Sequence, residues 1–420
     1  MSEPAHAPVR KAALIFILIT VTLDILALGM IIPVLPHLFE QFLGNDTAMA
    51  ARYYGYAGML WAGMQFLWSP VLGTLSDRFG RRPVVLLSNL GLGLDYIFMA
   101  LAPTLSWLFV GRAISGITAA SITTAGAYIA DVTPADKRAA AFGMIGAAFG
   151  IGFVIGPALG GLLGGIDPRL PFWVAAGMSL ANFCYGWFVL PESLPPEKRT
   201  PRFVWKTANP LGALLWLKNH DKLLPLASVH FLSSLAHYVL PSTFVLYTSY
   251  RYGWNERTVG LALGAIGVCS GAVQGGLVRH VVARFGERST LLAGLTFSCL
   301  SYLAMGLAPS SLAFWLTIPL SALAGLTGPS TQGLMSRRVS RSEQGQLQGA
   351  NTSVRGIAGL IGPAMFTMTF AAFLHKGDMS FDLPGAAFVL AAILVFFAIP
   401  LARWATRPAG VVAQAPAETL

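Results

Sequence analysis

The sequence predicts an all-α, polytopic membrane protein whose twelve transmembrane helices form two related halves of six. Three observations support this fold class. The 420 residues are 55% hydrophobic and only 11% charged, with a mean hydropathy of +0.64, whereas soluble proteins carry about a quarter charged residues. Apolar stretches long enough to cross a ~30 Å hydrocarbon core recur along the whole chain. Parts of the first half also return in the second half at a constant offset.

Each predicted membrane segment is an apolar stretch that ends at a charged, Pro-containing or Gly-containing turn. Several segments exceed twenty residues, and tilt accommodates the excess length. The 45 glycines allow membrane helices to approach one another closely. In chain order, the twelve segments are 12–38, 57–75, 84–102, 105–130, 139–164, 172–190, 223–249, 258–281, 290–307, 312–335, 346–374 and 385–402.

Basic residues define the orientation of these segments. Residues 1–10 are polar and no small-residue cleavage site follows them, so we expect a first membrane helix rather than a removed signal peptide. With both termini in the cytoplasm, 21 of the 28 Lys and Arg residues lie on the cytoplasmic side and five on the other. This bias follows the positive-inside rule and predicts a multi-pass protein of the inner (plasma) membrane. The positive net charge therefore reflects topology, and we expect no nucleic-acid partner.

A basic turn, Gly73–Pro83, joins the second and third segments. Its charged residues and Pro83 exclude it from hydrocarbon. The run Arg78–Arg82 returns as Arg284–Arg288 after 206 residues. Other matches at that offset pair Gly143 with Gly349 and the run 155–157 with 361–363. Because both halves begin in the cytoplasm, they are predicted to be parallel repeats, an arrangement that places a substrate site at mid-depth between the halves.

Four charged side chains lie deep inside predicted membrane helices: Asp24, Asp95, Arg112 and Arg355. A charge at the bilayer centre costs ~2.5–3.5 kcal/mol on insertion scales. Asp24 lies about 18 Å into the first helix and Asp95 is about as deep in the third. A buried carboxyl beside a movable guanidinium can carry a proton; the alternative is a static ion pair that holds helices together. We predict proton coupling for Asp24 and Asp95, with Arg112 orienting a carboxyl.

Other candidates are neutral or less deeply placed. The fifth segment carries a glycine-rich run whose Gly152, Gly156 and Pro157 suggest a flat, bent helix, with an ordinary small-residue packing face as the alternative. His230 and His237 lie in the seventh segment, the repeat partner of the first, and each is either titratable or a packing histidine. Polar residues inside helices either bond neighbouring helices or line a cavity, and the cavity candidates are Gln65, His237, Ser298, Gln332, Asn351 and Arg355.

The chain divides into four predicted regions. A six-helix bundle spans residues 1–190, and a second spans 223–407. Between them, residues 191–222 carry five prolines and six Lys or Arg residues and are predicted to form a cytoplasmic linker. Residues 408–420 are predicted to be a flexible tail. Cys184, Cys269 and Cys299 fall inside helices and imply no disulfide framework.

These motifs together resemble the drug–proton antiporters of the major facilitator superfamily, and most closely the tetracycline-efflux group. The resemblance covers almost the whole chain. The matching runs are Asp24–Pro36, Gly73–Pro83, Leu94–Tyr96, Gly111–Thr118, Gly152–Gly161, Pro171–Phe172 and Gly345–Gly349.

The resemblance implies roles for particular residues. Asp24 and Asp95 match acids tied to proton-coupled transport, and Arg112 matches the arginine of the fourth helix. Asp77 and Arg81 match a gating turn, to which Arg78 and Gly80 also belong; Gly152, Gly156 and Pro157 match the antiporter motif of the fifth helix. Gln65 falls at a polar cavity position.

The C-terminal half departs from the tetracycline-efflux pattern. Ser298 replaces an acidic residue of the ninth helix, and Ser270 replaces a histidine of the eighth. Arg355 stands where a neutral residue is expected. The N-terminal acids are kept, so the resemblance still implies proton antiport.

We therefore expect a transporter, not an enzyme, that exports a small amphipathic compound such as a tetracycline-like drug by alternating access. The proton gradient would drive it, without a cofactor, and no phosphate-binding loop of an ATPase is present in the sequence. Its expected partners are the small-molecule substrate, protons and the lipid bilayer, and we expect a functional monomer. The main alternative is a proton-coupled transporter of an anionic or zwitterionic metabolite, with Arg355 as anion anchor. A membrane receptor or sensor is a weaker alternative, because buried acids would serve no purpose in it.

Overall fold

The fold is built from helices. The structure, a computed structural model, describes residues 7–119, 121–134, 138–200, 216–217, 223–340, 343–374 and 383–407. All regular elements within these ranges are helical. The predicted tail (408–420) and most of the predicted linker lie outside the described residues.

Among the described residues, eight α-helices belong to each half of the chain. Those of the first half are α1 (Ala7–Ile31), α2 (Leu35–Phe42), α3 (Thr47–Phe79), α4 (Arg81–Ala100), α5 (Leu105–Thr118), α6 (Ser121–Val132), α7 (Arg138–Gly164) and α8 (Leu170–Val189). Those of the second half are α9 (Leu224–His237), α10 (Val239–Tyr252), α11 (Glu256–Ala272), α12 (Val278–Leu307), α13 (Ser311–Ala322), α14 (Thr327–Ser336), α15 (Gln344–Ala372) and α16 (Ala386–Ala405).

Nine helical runs among the described residues are long and apolar enough to cross a membrane. One of them, Glu256–Leu307, contains the predicted eighth and ninth segments together. The predicted second segment lies within α3, and the predicted fourth segment is divided between α5 and α6. The structure therefore confirms the all-helical membrane fold class, and the count of twelve stays a prediction.

Several predicted segments are broken in the middle, and the breaks repeat at the 206-residue offset. The first segment is interrupted between α1 and α2, and the seventh between α9 and α10, at Tyr238. The fourth is interrupted after α5, and the tenth contains a 3₁₀ turn at Leu323–Leu326. Proline explains three of these breaks, because its ring clashes with the carbonyl four residues earlier. Pro33, Pro241 and Pro329 are the residues concerned.

The two basic turns share an unusual backbone conformation. Gly80 ends α3 with φ 105° and ψ 158°, and Gly286 breaks α12 with φ 76° and ψ 164°. L-residues rarely adopt a positive φ, whereas glycine does so at little cost. The repeat seen in the sequence therefore extends to the backbone of these turns.

Two helices, α7 and α15, connect the halves. In the first half α7 packs against α1, and a Cβ added to Gly156 would lie 2.8 Å from the Cα of Gly29. The other side of α7 packs against α11, where Gly161 meets Gly260. Correspondingly, α15 packs against Tyr238, at the junction of α9 and α10, and against α3 of the first half. In each half, one helix (α7 or α15) therefore packs against helices of its own bundle and against a helix of the other bundle.

Contact between the halves covers only part of their length. We call the end that carries Gly80 and Gly286 the basic end. Between α3 and α15, close contacts run from Gly55 and Thr367, near the opposite end, to Phe66 and Gly356 near the middle. Between α7 and α11 they run from Gly164 to Gly267, whereas Gly271 has nothing within 4 Å of an added Cβ. The close contacts between the described helices of the two halves therefore stop near mid-depth, and we infer a space between the halves that opens toward the basic end.

Polar contacts join the halves at the opposite end. The Tyr54 hydroxyl donates to the carbonyl of Pro241 at 3.1 Å. His37 contacts Glu40 through Nδ1 at 3.0 Å and Ser249 of the other half through Nε2 at 3.3 Å. These hydrogen bonds therefore join the two halves at the same end as the close glycine contacts.

Candidate transport site

The buried carboxyl of Asp24 accepts a hydrogen bond from a neutral amide side chain of the first half. Asp24 lies on α1, is 9% exposed, and its Oδ1 accepts a hydrogen bond from Nδ2 of Asn182 at 3.0 Å. The same amide donates to the carbonyl of Thr20 at 3.1 Å. Asn182 lies on α8, so α1 and α8 together position this carboxyl. The sequence showed Asn182 only as a polar residue inside an apolar helix.

Asp95 lies on α4 and is more deeply buried, at 2% exposure. Neither carboxyl oxygen has a hydrogen-bond partner among the described residues. Arg112 of α5, itself 8% exposed, lies within electrostatic range of Asp95. Its guanidinium lies 5.2 Å from the centre of the Trp61 ring of α3, a cation–π contact. Arg112 is therefore held by an aromatic face and acts on Asp95 through its charge rather than through an ion pair.

Tyr96 links the two acids. It is almost fully buried, and its hydroxyl lies within electrostatic range of Asp24, Asp95 and Arg112. Tyr54 likewise lies near Arg112 and bonds to Pro241 of the other half. The structure thus brings the three predicted coupling residues into one buried cluster. Tyr54 was missed by sequence reasoning, since an aromatic in an apolar helix gives no signal of its own.

The predicted gating turn forms a network within the first half. Arg81, which is 8% exposed, pairs with Asp77 at 2.6 Å and with Asp131 of α6 at 3.2 Å. Its backbone N–H donates to Glu192 at 2.9 Å, beyond the end of α8. By contrast, Arg78 is exposed and lies over the ring of Phe79. Arg81 therefore ties α3, α4 and α6 together at the basic end.

The second half carries the same ion pair with its charges exchanged. Glu287 follows Gly286 as Arg81 follows Gly80, and it pairs with Arg337 at 3.1 Å. Asp131 and Arg337 are also 206 residues apart. The 206-residue offset relates Asp131 to Arg337 in the sequence, but that they pair with Arg81 and Glu287, respectively, depends on helix packing.

Helix α7 places the predicted helix-five residues at two interfaces. Added Cβ atoms at Gly152 and Gly156 would overlap Ile25 and the Leu26–Gly29 backbone of α1. The carbonyl of Pro157 faces Gly260 of α11. These residues therefore lie where α7 contacts both its own half and the other half.

The predicted cavity residues are placed differently from one another. Asn351 of α15 donates to Gln332 of α14 at 2.7 Å, so these two bond neighbouring helices. Ser298 is buried and donates to the Gly294 carbonyl of its own helix at 2.8 Å. His237 has an exposed side chain and contacts the Tyr302 hydroxyl at 3.5 Å.

Gln65 and Arg355 lie beside the last contact between the halves. Gln65 is half-buried and precedes Phe66, which meets Gly356 of the other half. Arg355 precedes Gly356, and its side chain is exposed. These two residues therefore border the space between the halves. Among the described residues, no group of three or more His, Cys, Asp or Glu could hold a metal ion.

Comparison with protein families identifies the fold. The model of the Major Facilitator Superfamily matches residues 17–363. The chain belongs to the major facilitator superfamily. It is accordingly a multi-pass membrane transporter and not an enzyme, and transporters of this superfamily generally need no cofactor.

Several curated relatives are tetracycline resistance proteins. The class C protein of Escherichia coli is 36% identical over 394 residues, which cover 93% of this chain and 96% of that protein. The class B protein of Escherichia coli is 33% identical and covers 90% of this chain and 93% of its own length. The class G protein of Vibrio anguillarum is 35% identical and covers 94% of this chain and 98% of its own length.

Solved structures share the fold at lower identity. A bacterial homologue of the human lysosomal transporter Spinster, in an inward-facing and unoccupied conformation, gives a TM-score of 0.74 at 17% identity, over 95% of this chain and 97% of that one. The human organic anion transporter MFSD10 gives a TM-score of 0.69 at 22% identity, over 95% of this chain and all of that one.

Proposed function

We propose that this transporter is a proton-coupled antiporter that exports a small amphipathic compound, with tetracycline-like drugs as the first candidates. The observation that carries the proposal is the pair of buried acids, Asp24 and Asp95, with no cation at ion-pair distance among the described residues. Ionisable residues inside a membrane are costly and are commonly parts of proton relays. The identity to tetracycline resistance proteins supports the drug class.

The mechanism follows from the space that opens toward the basic end. By the positive-inside rule we infer that this end faces the cytoplasm and that both termini lie on the same side. We propose the plasma membrane as the location. In this conformation a substrate enters from the cytoplasm while Asp24 and Asp95 release protons. When the halves rock to open the opposite end, the substrate leaves and the carboxyls take up protons from outside. The reversal then returns the protons to the cytoplasm.

The turn at Gly80 would act as the cytoplasmic gate. Asp77 is half-exposed and pairs with Arg81 of its own half in the present conformation. When the cytoplasmic side closes, the start of α15 at Gln344 would approach Asp77. The positive end of a helix dipole stabilises a nearby carboxylate by ~0.3–1 kcal/mol. This contact would favour the outward-facing state, because it forms only in that state.

The coupling assignment is tested with proteoliposomes that contain a pH-sensitive dye. Asp24→Asn and Asp95→Asn should each abolish proton movement driven by tetracycline, because each replaces a titratable group by a neutral isostere. Glu197→Gln removes an exposed carboxyl from the short 3₁₀ turn Pro196–Lys198, outside the α-helices, and should leave this proton movement unchanged. Wild-type proton movement in either Asp variant would show that its carboxyl is not part of the coupling path.

A further inference from the structure

A single stripe of α15 faces the junction of α9 and α10. Gly359 and Gly362 contact Tyr238, and Asn351 lies beside the ring of His230. Positions 351, 355, 359 and 362 follow the spacing of one helix face. Arg355 therefore points to the same side as these contacts, toward His230 and Tyr238, and its charge acts on both.

Arg355 also marks the point where the halves separate. The next residue, Gly356, makes the contact with Phe66 of α3 that ends the close approach of α3 and α15. Arg355 lies about 16 Å along α15 from Gln344, near mid-depth. Its side chain is exposed and has no ion-pair or hydrogen-bond partner among the described residues. A fixed positive charge thus lies at the inner end of the space between the halves.

The groups around Arg355 complement an anionic aromatic ligand. The Nε2 of His230 is buried and has no hydrogen-bond partner among the described residues. A guanidinium binds a carboxylate through two parallel hydrogen bonds and also stacks on aromatic rings. Tyr238 and Phe66 provide aromatic surface on either side of the Arg355 position. A cationic ligand would instead be repelled by this uncompensated positive charge.

We propose that Arg355, His230 and Tyr238 form an anion subsite that binds a carboxylate, enolate or phenolate of an amphipathic aromatic substrate. The proposal deepens the proposed function, on which it rests for the identity of the space as a transport route. In this proposal the two halves have different roles. The first half holds the titratable acids, and the second holds the fixed charge that selects the ligand. The pump therefore prefers anionic or zwitterionic compounds to cations.

The test is equilibrium binding to the purified full-length protein in detergent, which needs no proton gradient. Two dyes with the same xanthene core are the probes: fluorescein, an anion, and tetramethylrhodamine methyl ester, a cation. Wild-type protein should bind fluorescein more tightly. Arg355→Gln should weaken fluorescein binding by about tenfold or more, as expected for a lost charge-assisted hydrogen bond, and leave the cation unchanged or tighter. Arg355→Lys should restore part of the affinity.

Arg52→Gln is the matched control, because it removes an exposed positive charge from α3 near the opposite end and should change neither affinity. A wild-type protein without preference for fluorescein would overturn the proposal. So would equal losses for both dyes in Arg355→Gln. If dye selectivity depends on Arg355 while proton-coupled export fails in proteoliposomes, the subsite stands and the proposed function does not.

Discussion

At the scale of single residues, Arg81 makes four polar contacts at the basic end. Its side chain contacts Asp77, Asp131 and Ser76, and its backbone contacts Glu192. Removal of one partner from a buried ion pair leaves the other charges uncompensated. The arginine therefore stabilises the turn in addition to any part it takes in gating.

We predict that Arg81→Gln lowers the free energy of unfolding by about 3 kcal/mol, the lower end of the range for a broken buried ion pair, because Asp131 is partly exposed. Arg78→Gln is the matched control, since Arg78 is exposed and stacks only on the adjacent Phe79. The measurement is the thermal unfolding midpoint of the two purified variants. Equal midpoints would show that the Arg81 network contributes nothing to stability.

At the scale of elements, both halves form an ion pair at equivalent positions, but the acidic and basic residues are interchanged between the halves. Arg81 and Asp131 hold α4 to α6, and Glu287 and Arg337 occupy the equivalent positions with reversed charge. Both turns contain a glycine with positive φ, Gly80 and Gly286. The turn is thus compatible with either placement of the acidic and the basic residue.

This equivalence predicts the outcome of a charge exchange in the first half. Arg81→Glu alone places three carboxylates together and should destabilise the protein more than Arg81→Gln, because like charges repel. Adding Asp131→Arg should recover much of the lost thermal stability, since the second half already uses that arrangement. A double variant no more stable than Arg81→Glu would contradict the equivalence.

Glycines of α7 give a second test at the scale of elements. A Cβ at Gly156 would lie 2.8 Å from the Cα of Gly29 and 2.9 Å from the carbonyl oxygen of Leu26. Backbone atoms cannot rotate away, so Gly156→Ala must push α1 and α7 apart, at a cost of roughly 1–3 kcal/mol. Gly150→Ala on the same helix has open space at its Cβ and should not lower the unfolding midpoint. A tolerated Gly156→Ala would show that the close packing of α1 on α7 is not required.

Much of this architecture could be predicted from the sequence, because hydropathy and the basic turns report directly on burial in lipid. The all-helical fold, the turn at Gly80 and the glycine face of α7 follow from such local patterns. The interruption at Tyr238 was not predicted, since Pro241 in an apolar run is compatible with a continuous bent helix. The pairing of Asp131 with Arg81 was also missed, since it depends on the packing of α6 against α4.

The candidate transport site was predicted only in part, because the sequence reports burial in lipid but not the packing of one helix against another. Asp24, Asp95 and Arg112 are identified by the cost of a charge inside an apolar helix. Their common neighbour Tyr96 gains its importance only from the arrangement of α1, α4 and α5. Ser298 and Asn351 are both polar residues inside predicted membrane segments, and only packing decides that both bond to protein groups.

At the scale of the whole molecule, two helix–helix interfaces rich in small residues, which we call seams, join the halves. Both seams lie toward the end opposite the basic turns. One is formed by α7 with α11, and the other by α3 with α15. Because the seams include Gly161, Gly260 and Gly356, they allow the halves to rock with little side-chain interlocking. The acids lie in one half and Arg355 in the other, so the proposed rocking motion would change the access of both to each side of the membrane.

Gradient-driven transport by wild-type protein in proteoliposomes tests the central claim most directly. Vesicles with an acidic lumen and an alkaline exterior present the pump in both orientations, and molecules whose cytoplasmic side faces outward should accumulate tetracycline inside. We predict accumulation that depends on the pH gradient, accompanied by alkalinisation of the lumen and abolished when a proton ionophore collapses the gradient. Tetracycline movement that is equal with and without the gradient, and moves no protons, would contradict proton-coupled export.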